Sequence, residues 1–105
     1  MCGIVGAYFK DGVNQVSMKR ATDLLAHRGP DADGHFFSEN NKVFLGHRRL
    51  SIIDVSQSAN QPMYSNDGRY VIVYNGEVYN FEQLKLKLPN QDWKTSGDTE
   101  VVLTL

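Results

Sequence analysis

Met1-Cys2-Gly3-Ile4-Val5-Gly6-Ala7-Tyr8-Phe9 opens the chain, and Lys10-Asp11-Gly12 ends the run. Cys2 to Phe9 is short and almost continuously apolar, which predicts a first β-strand with both faces covered. Cys2 stands directly after the initiator Met, and its small side chain permits removal of Met1. The thiol then shares a residue with a free α-amine. That amine has a reference pKa of ~7.7–8.0, so a usable fraction is neutral base near pH 7. Nucleophile and base on one residue is the N-terminal variant of the catalytic triad. The alternative for a lone Cys is a small buried hydrophobe.

Working outward, residues 15 to 27 read as a helix with Met18, Ala21, Leu24 and Leu25 on one side. His27-Arg28-Gly29-Pro30-Asp31-Ala32-Asp33-Gly34 is dense in turn formers and reads as a loop. His35 to Glu39 and Val43 to His47 are expected to form a hairpin around Asn40-Asn41. Arg49 to Val55 continues as an extended stretch, and Ser56 to Asn60 is polar loop. Asn66-Asp67-Gly68 is a turn signal before a strand over Tyr70 to Tyr74, rich in β-branched and aromatic residues. Phe81 to Leu88 predicts a short helix ended by Pro89. A last helix is expected from Thr99 or Glu100, with Asp98 as its cap. A run of antiparallel strands with helices on one face is an α+β layered arrangement.

Bulk properties narrow the function classes. The chain has 105 residues, 41% apolar and 22% charged, enough for one small soluble domain with a thin core. The net charge is −1 and the basic residues are scattered, so neither nucleic acid nor an anionic membrane is expected as a partner. No apolar run approaches the ~20 residues of a membrane span, and the start lacks the pattern of a signal peptide. The single Cys excludes an internal disulfide. These features predict a cytoplasmic protein. Val101-Val102-Leu103-Thr104-Leu105 ends the sequence without a cap or polar tail, so a longer protein is expected. His27, His35 and His47 do not make a metal-ligand pattern. Gly3, Gly6 and Gly12 do not make a dinucleotide fingerprint, since no helix opens directly after them.

Further positions offer chemistry. Asn75-Gly76-Glu77 follows the Tyr70 to Tyr74 strand. An Asn amide and a Gly N–H at a strand end can form an oxyanion hole, and the alternative is an Asn-Gly hairpin turn. Glu77-Val78-Tyr79-Asn80 does not alternate like a return strand, which weakens that alternative. Arg49 offers a planar fork for a carboxylate, or is a solvent-exposed residue of an edge strand. Asp98 can hold an ammonium group or cap the last helix. Together Arg49 and Asp98 would bracket an amino acid, although spacing alone does not show that they meet.

Whole strings are more specific than these single residues. Met1-Cys2-Gly3-Ile4-Val5-Gly6 resembles the start of class II glutamine amidotransferases. His27-Arg28-Gly29-Pro30-Asp31, Gly46-His47-Arg48-Arg49-Leu50-Ser51-Ile52-Ile53-Asp54 and Asn60-Gln61-Pro62-Met63 resemble the asparagine synthetase branch of that family. So do Tyr74-Asn75-Gly76-Glu77-Val78-Tyr79-Asn80 and Ser96-Gly97-Asp98-Thr99-Glu100-Val101. The resemblance implies an N-terminal-nucleophile hydrolase with a four-layer αββα sandwich, of which this segment is the first part. It implies Cys2 as nucleophile, its α-amine as base, and Asn75 and Gly76 as oxyanion hole. Arg49 would bind the glutamine α-carboxylate and Asp98 the α-amine. Backbone groups around Leu50, Ile52, Ile53 and Glu77 would line the same pocket. The implied reaction is hydrolysis of glutamine through a glutamyl thioester. The ammonia would pass to a synthetase domain, absent here, that uses Mg-ATP to make asparagine from aspartate. No cofactor is expected in this segment, and a homodimer is a possible assembly. The alternatives are another carboxylate or a sugar as ammonia acceptor, or a non-catalytic module that keeps the fold.

Overall fold

The computed structural model describes residues 2–50 and 57–105. Strand β1 runs Gly3–Tyr8, helix α1 Gln15–Asp23, β2 Ala32–Phe37 and β3 Val43–Arg49. A 3₁₀ turn at Gln57–Ala59 leads to β4 (Met63–Tyr64) and β5 (Val71–Ile72). Helices α2 (Phe81–Leu86) and α3 (Asp98–Thr104) follow. The architecture is mixed α+β, with a three-stranded antiparallel sheet in the order β1-β3-β2 and a two-stranded β4-β5 ribbon. None of the described helices is long and apolar enough to cross a membrane.

The register of the main sheet sorts its residues onto two faces. Gly3 lies opposite Arg48, Val5 opposite Gly46 and Ala7 opposite Phe44. Helix α1 packs on this face. A Cβ on Gly3 would stand 3.0 Å from the Leu25 side chain, and one on Gly46 would collide with Thr22. Phe44 is fully buried there, with Phe37 tilted against it at 4.9 Å between ring centroids. The other face carries Ile4 opposite His47 and Gly6 opposite Leu45. The ribbon covers one end of this second face: Phe36 meets Tyr64 edge-on, and the Gly34 backbone lies against Gln61 and Pro62. At the other end Ile4 is 46% and Tyr8 69% exposed. The expectation that both faces of the first strand are covered therefore fails. Among the described residues β1 is an edge strand, covered mainly on the α1 side.

Several boundaries move. Helix α1 ends at Asp23, and Leu25 and Ala26 close tight turns onto Thr22 and Asp23. Leu24 is 77% exposed, and Thr22 is buried in its place. At 100° per residue Met18, Thr22 and Leu25 share a stripe from which Leu24 is turned away. β2 begins at Ala32 and ends at Phe37, so part of the expected loop is strand. Pairing pulls it in, since Ala32 aligns with Arg49 and the Asp31 N–H donates to the Arg49 carbonyl. The Asn40-Asn41 turn forms as expected, with Asn41 at φ 59° and the Ser38 hydroxyl accepting from the Lys42 and Val43 N–H groups. The Asn66-Asp67-Gly68 turn also forms, with Gly68 at φ 73° joining β4 to β5. Among the described residues, the strand expected over Tyr70 to Tyr74 pairs only at Val71 and Ile72. Helix α2 stops at Leu86, two residues before the expected end.

Candidate functional site

Several chain segments converge on one cavity of about 390 Å³, among them the stretch before β4 with Ala59 and Gln61. The start of β1 brings Cys2, and the end of β3 brings Arg49 and Leu50. The stretch after β5 brings Tyr74, Asn75, Gly76 and Glu77. The start of α3 brings Gly97, Asp98 and Thr99. Cys2, Arg49, Leu50, Asn75, Gly76, Glu77 and Asp98, all singled out from sequence, thus share one wall-to-wall space. Ile52 and Ile53, the rest of the expected extended stretch over 51–55, and Met1 lie outside the described residues.

Cys2 is half-buried, just beyond the paired part of β1. The Leu50 N–H donates to its Sγ at 3.3 Å, and the thiol lies 3.7 Å from the Leu50 carbonyl. The cross-strand neighbour of the nucleophile candidate is therefore a backbone, which fixes the sulfur's position. Arg49 is 6% exposed, contrary to a surface reading, and its Nη1 donates to Asn60 Oδ1 at 2.6 Å. A guanidinium buried to this degree needs polar partners, and the charge-assisted bond to Asn60 is one of them.

Asp98 is also 6% exposed. Its carboxylate is expected from sequence to cap the last helix, but the helix begins at Asp98 itself and Gly97 is the cap residue. No side chain caps that end. The Asp98 Oδ2 instead accepts the Val78 N–H at 2.9 Å, tying the loop after Asn75-Gly76 to α3. Arg49 and Asp98 line one cavity from different elements, the end of β3 and the start of α3.

The structure adds residues that sequence reasoning did not single out. Gln61 is buried in the cavity wall, its Oε1 accepting the Tyr74 N–H at 2.6 Å and its Nε2 donating to Thr99 Oγ1 at 3.4 Å. His47 is 1% exposed and its Nε2 lies 3.3 Å from the Tyr74 carbonyl oxygen. Burial pushes the His47 imidazole below its ordinary pKa; the Tyr74 contact opposes the shift and the Arg49 charge adds to it. Glu100 is buried, and its carboxylate accepts from the Lys94 N–H, the Thr95 N–H and the Thr95 hydroxyl. It shapes the segment that brings Thr95 and Gly97 to the cavity. Asn60, Gln61, His47 and Glu100 all sit inside the strings quoted for the resemblance, which was the signal available. Thr95 carried none.

The mixed α+β domain thus brings a buried guanidinium, a buried carboxylate and a half-buried thiol to one cavity. The family model described as a glutamine amidotransferase domain matches residues 1–105, and the chain belongs to that family. Among curated relatives, "Amidase chry2" of Gibberella zeae is 46% identical over 89 residues, covering 84% of this chain and 13% of that protein. The glutamine-hydrolyzing asparagine synthetase 1 of Bacillus subtilis is 41% identical over 110 residues, covering 98% of this chain and 17% of that protein. The glutamine-hydrolyzing asparagine synthetase of Asparagus officinalis is 39% identical over 108 residues, covering 100% and 18%. The chain thus spans between 13% and 20% of the length of such relatives.

Proposed function

We propose that residues 1–105 form the front part of a glutaminase domain, which hydrolyses glutamine to glutamate and ammonia. One observation carries this reading: Cys2, Arg49, Asn75, Gly76 and Asp98 all line the same cavity. With Met1 removed, the Cys2 α-amine takes the thiol proton and the thiolate attacks the side-chain amide carbon of glutamine. The Asn75 side-chain amide and the Gly76 N–H donate to the oxyanion that develops. Protonated by the α-amine, ammonia leaves. Water then hydrolyses the glutamyl thioester, releases glutamate and restores the thiol. Arg49 grips the α-carboxylate and Asp98 the α-ammonium, so the reacting amide is held at a fixed distance from both anchors. Backbone groups of Leu50 and Glu77 complete the pocket, and Ile52 and Ile53 are assigned to it by the resemblance.

The ammonia acceptor is proposed to be aspartate, converted to asparagine with Mg-ATP in a separate synthetase domain. The names of the Bacillus and Asparagus relatives support this. A second reading keeps glutamine hydrolysis but sends the ammonia to another carboxylate; the relative at 46% identity bears the name of an amidase and not of an asparagine synthetase. The full domain is proposed to complete the four-layer αββα sandwich.

The test is Cys2→Ala in the full-length protein, read by glutamate release from glutamine. Release is expected to vanish while synthesis from free ammonia persists, since the two chemistries use separate sites. Wild-type-like release would refute the assignment. Intact mass of the purified protein checks the removal of Met1 on which the base depends.

A further inference from the structure

Among the described residues, no strand ladder holds the stretch that presents Asn75 and Gly76. β5 pairs with β4 only at Val71 and Ile72, and both backbone groups of Tyr74 turn to side chains instead. Its N–H donates to Gln61 Oε1 at 2.6 Å, and its carbonyl oxygen lies 3.3 Å from His47 Nε2. Both partners are themselves fixed. His47 belongs to the central strand β3 and is 1% exposed. Gln61 is 8% exposed, its backbone abuts Gly34, and its Nε2 reaches Thr99 on α3. A Cβ on Gly34 would collide with the Gln61 carbonyl, so this close approach requires glycine there.

We propose that His47 is a positioning residue which, with Gln61, clamps the Tyr74 backbone and thereby sets where the Asn75 and Gly76 donors stand relative to Cys2. The inference rests on the oxyanion reading given above. It deepens that reading by naming what pre-aligns the donors. A carbonyl accepts, so Nε2 must carry the imidazole proton. Nδ1 has no hydrogen-bond partner among the described residues, which agrees with Nε2 as the ring's working atom. Burial favours the neutral ring, the form with a single N–H. The same strand, two residues on, supplies Arg49, so β3 orders both the substrate anchor and the oxyanion segment. Oxyanion stabilisation depends on donors aligned before charge develops, so a loosened clamp acts on kcat rather than on glutamine binding.

The test uses the full-length protein and glutamine hydrolysis. His47→Leu removes the donor and is expected to lower kcat about tenfold or more, with KM changed by less than about threefold. His47→Gln places an amide N–H near the Nε2 position and is expected to recover most of that loss. Gln61→Met removes the other half of the clamp and is expected to reproduce the kcat-selective loss, which keeps the idea testable if His47→Leu folds poorly. A double-mutant cycle gives the decisive readout. Added to Asn75→Ala, His47→Leu should cost less than about threefold, because its effect runs through the donor already removed. Full additivity, a KM-only effect, or equal loss in the Leu and Gln variants would overturn the clamp. If Asn75→Ala alone leaves kcat unchanged, the oxyanion reading fails. If Asn75→Ala lowers kcat while His47→Leu and Gln61→Met do not, the clamp alone fails.

Discussion

Arg49 shows how burial changes what a residue type means. Taken alone in the sequence, it reads more readily as a solvent-exposed arginine on an edge strand than as a carboxylate ligand. The structure places it at the end of the central strand, 6% exposed, with Nη1 on Asn60. A planar guanidinium can hold Asn60 with one nitrogen and present others to a carboxylate, and a lysine ammonium cannot reproduce that fork. Arg49→Lys is therefore expected to raise the KM for glutamine at least about tenfold while keeping the charge. Steady-state kinetics over a range of glutamine concentrations decide it, and an unchanged KM would remove Arg49 from the substrate site. Asp98 was legible as an acid at the right place, but not its actual partner. The helix starts one residue earlier than sequence signals suggest, and that offset turns the carboxylate from cap to cavity wall.

Local signals served some elements well and others poorly. Both turns built on Asn and Gly formed where expected, because positive φ is a property of a few residues and not of their surroundings. Strand ends moved with their partners: β2 gained Ala32 to Gly34 from the loop by pairing with β3, and β5 shrank where side chains displaced the ladder. Helix α3 is positioned by a contact that no periodicity reports. The Glu100 carboxylate collects the Lys94 and Thr95 N–H groups and the Thr95 hydroxyl. Glu100→Ala leaves the Thr95 N–H without this acceptor in a buried position. An unpaired buried donor costs about 1–3 kcal/mol, and loss of several bonds to a carboxylate belongs at the upper end. Urea unfolding of the full-length variant is expected to show a destabilisation of that order, accompanied by weaker glutamine binding as Thr95 and Gly97 loosen. A change below about 0.5 kcal/mol, the usual size for a surface substitution, would mean that the loop is held by other contacts.

At the scale of the molecule the described core is thin. Val13, Phe44, Met63 and Val101 are the buried apolar side chains among the described residues. The radius of gyration is 14.3 Å, against about 13 Å for a compact domain of this length. Ile4, Tyr8 and Tyr64 are exposed on or beside the sheet face away from α1. Exposed strand edges and apolar patches favour association. Residues 1–105 alone are expected to unfold over a broad temperature range, to bind an apolar dye and to show little glutaminase activity. A site held to within about 0.5 Å needs a stiffer support than this core supplies. Sharp two-state unfolding of a monomer with high activity would show that these contacts suffice.

The sequence by itself determined the class. Single residues such as Cys2, Asn75 and Arg49 left a buried Cys, a turn and a surface Arg as open readings, and the class was legible in the ordered strings around them, which resemble one family. The turns and the α+β order followed from local backbone preferences. Only the tertiary structure decided that Arg49 and Asp98 meet at one cavity, that Thr22 and not Leu24 is buried, and that Gln61 and His47 hold the Tyr74 backbone. Those outcomes depend on pairing register and on contacts between residues far apart in the chain. A register shift of one residue turns every side chain of a strand to the other face, so no local pattern specifies which groups face the cavity.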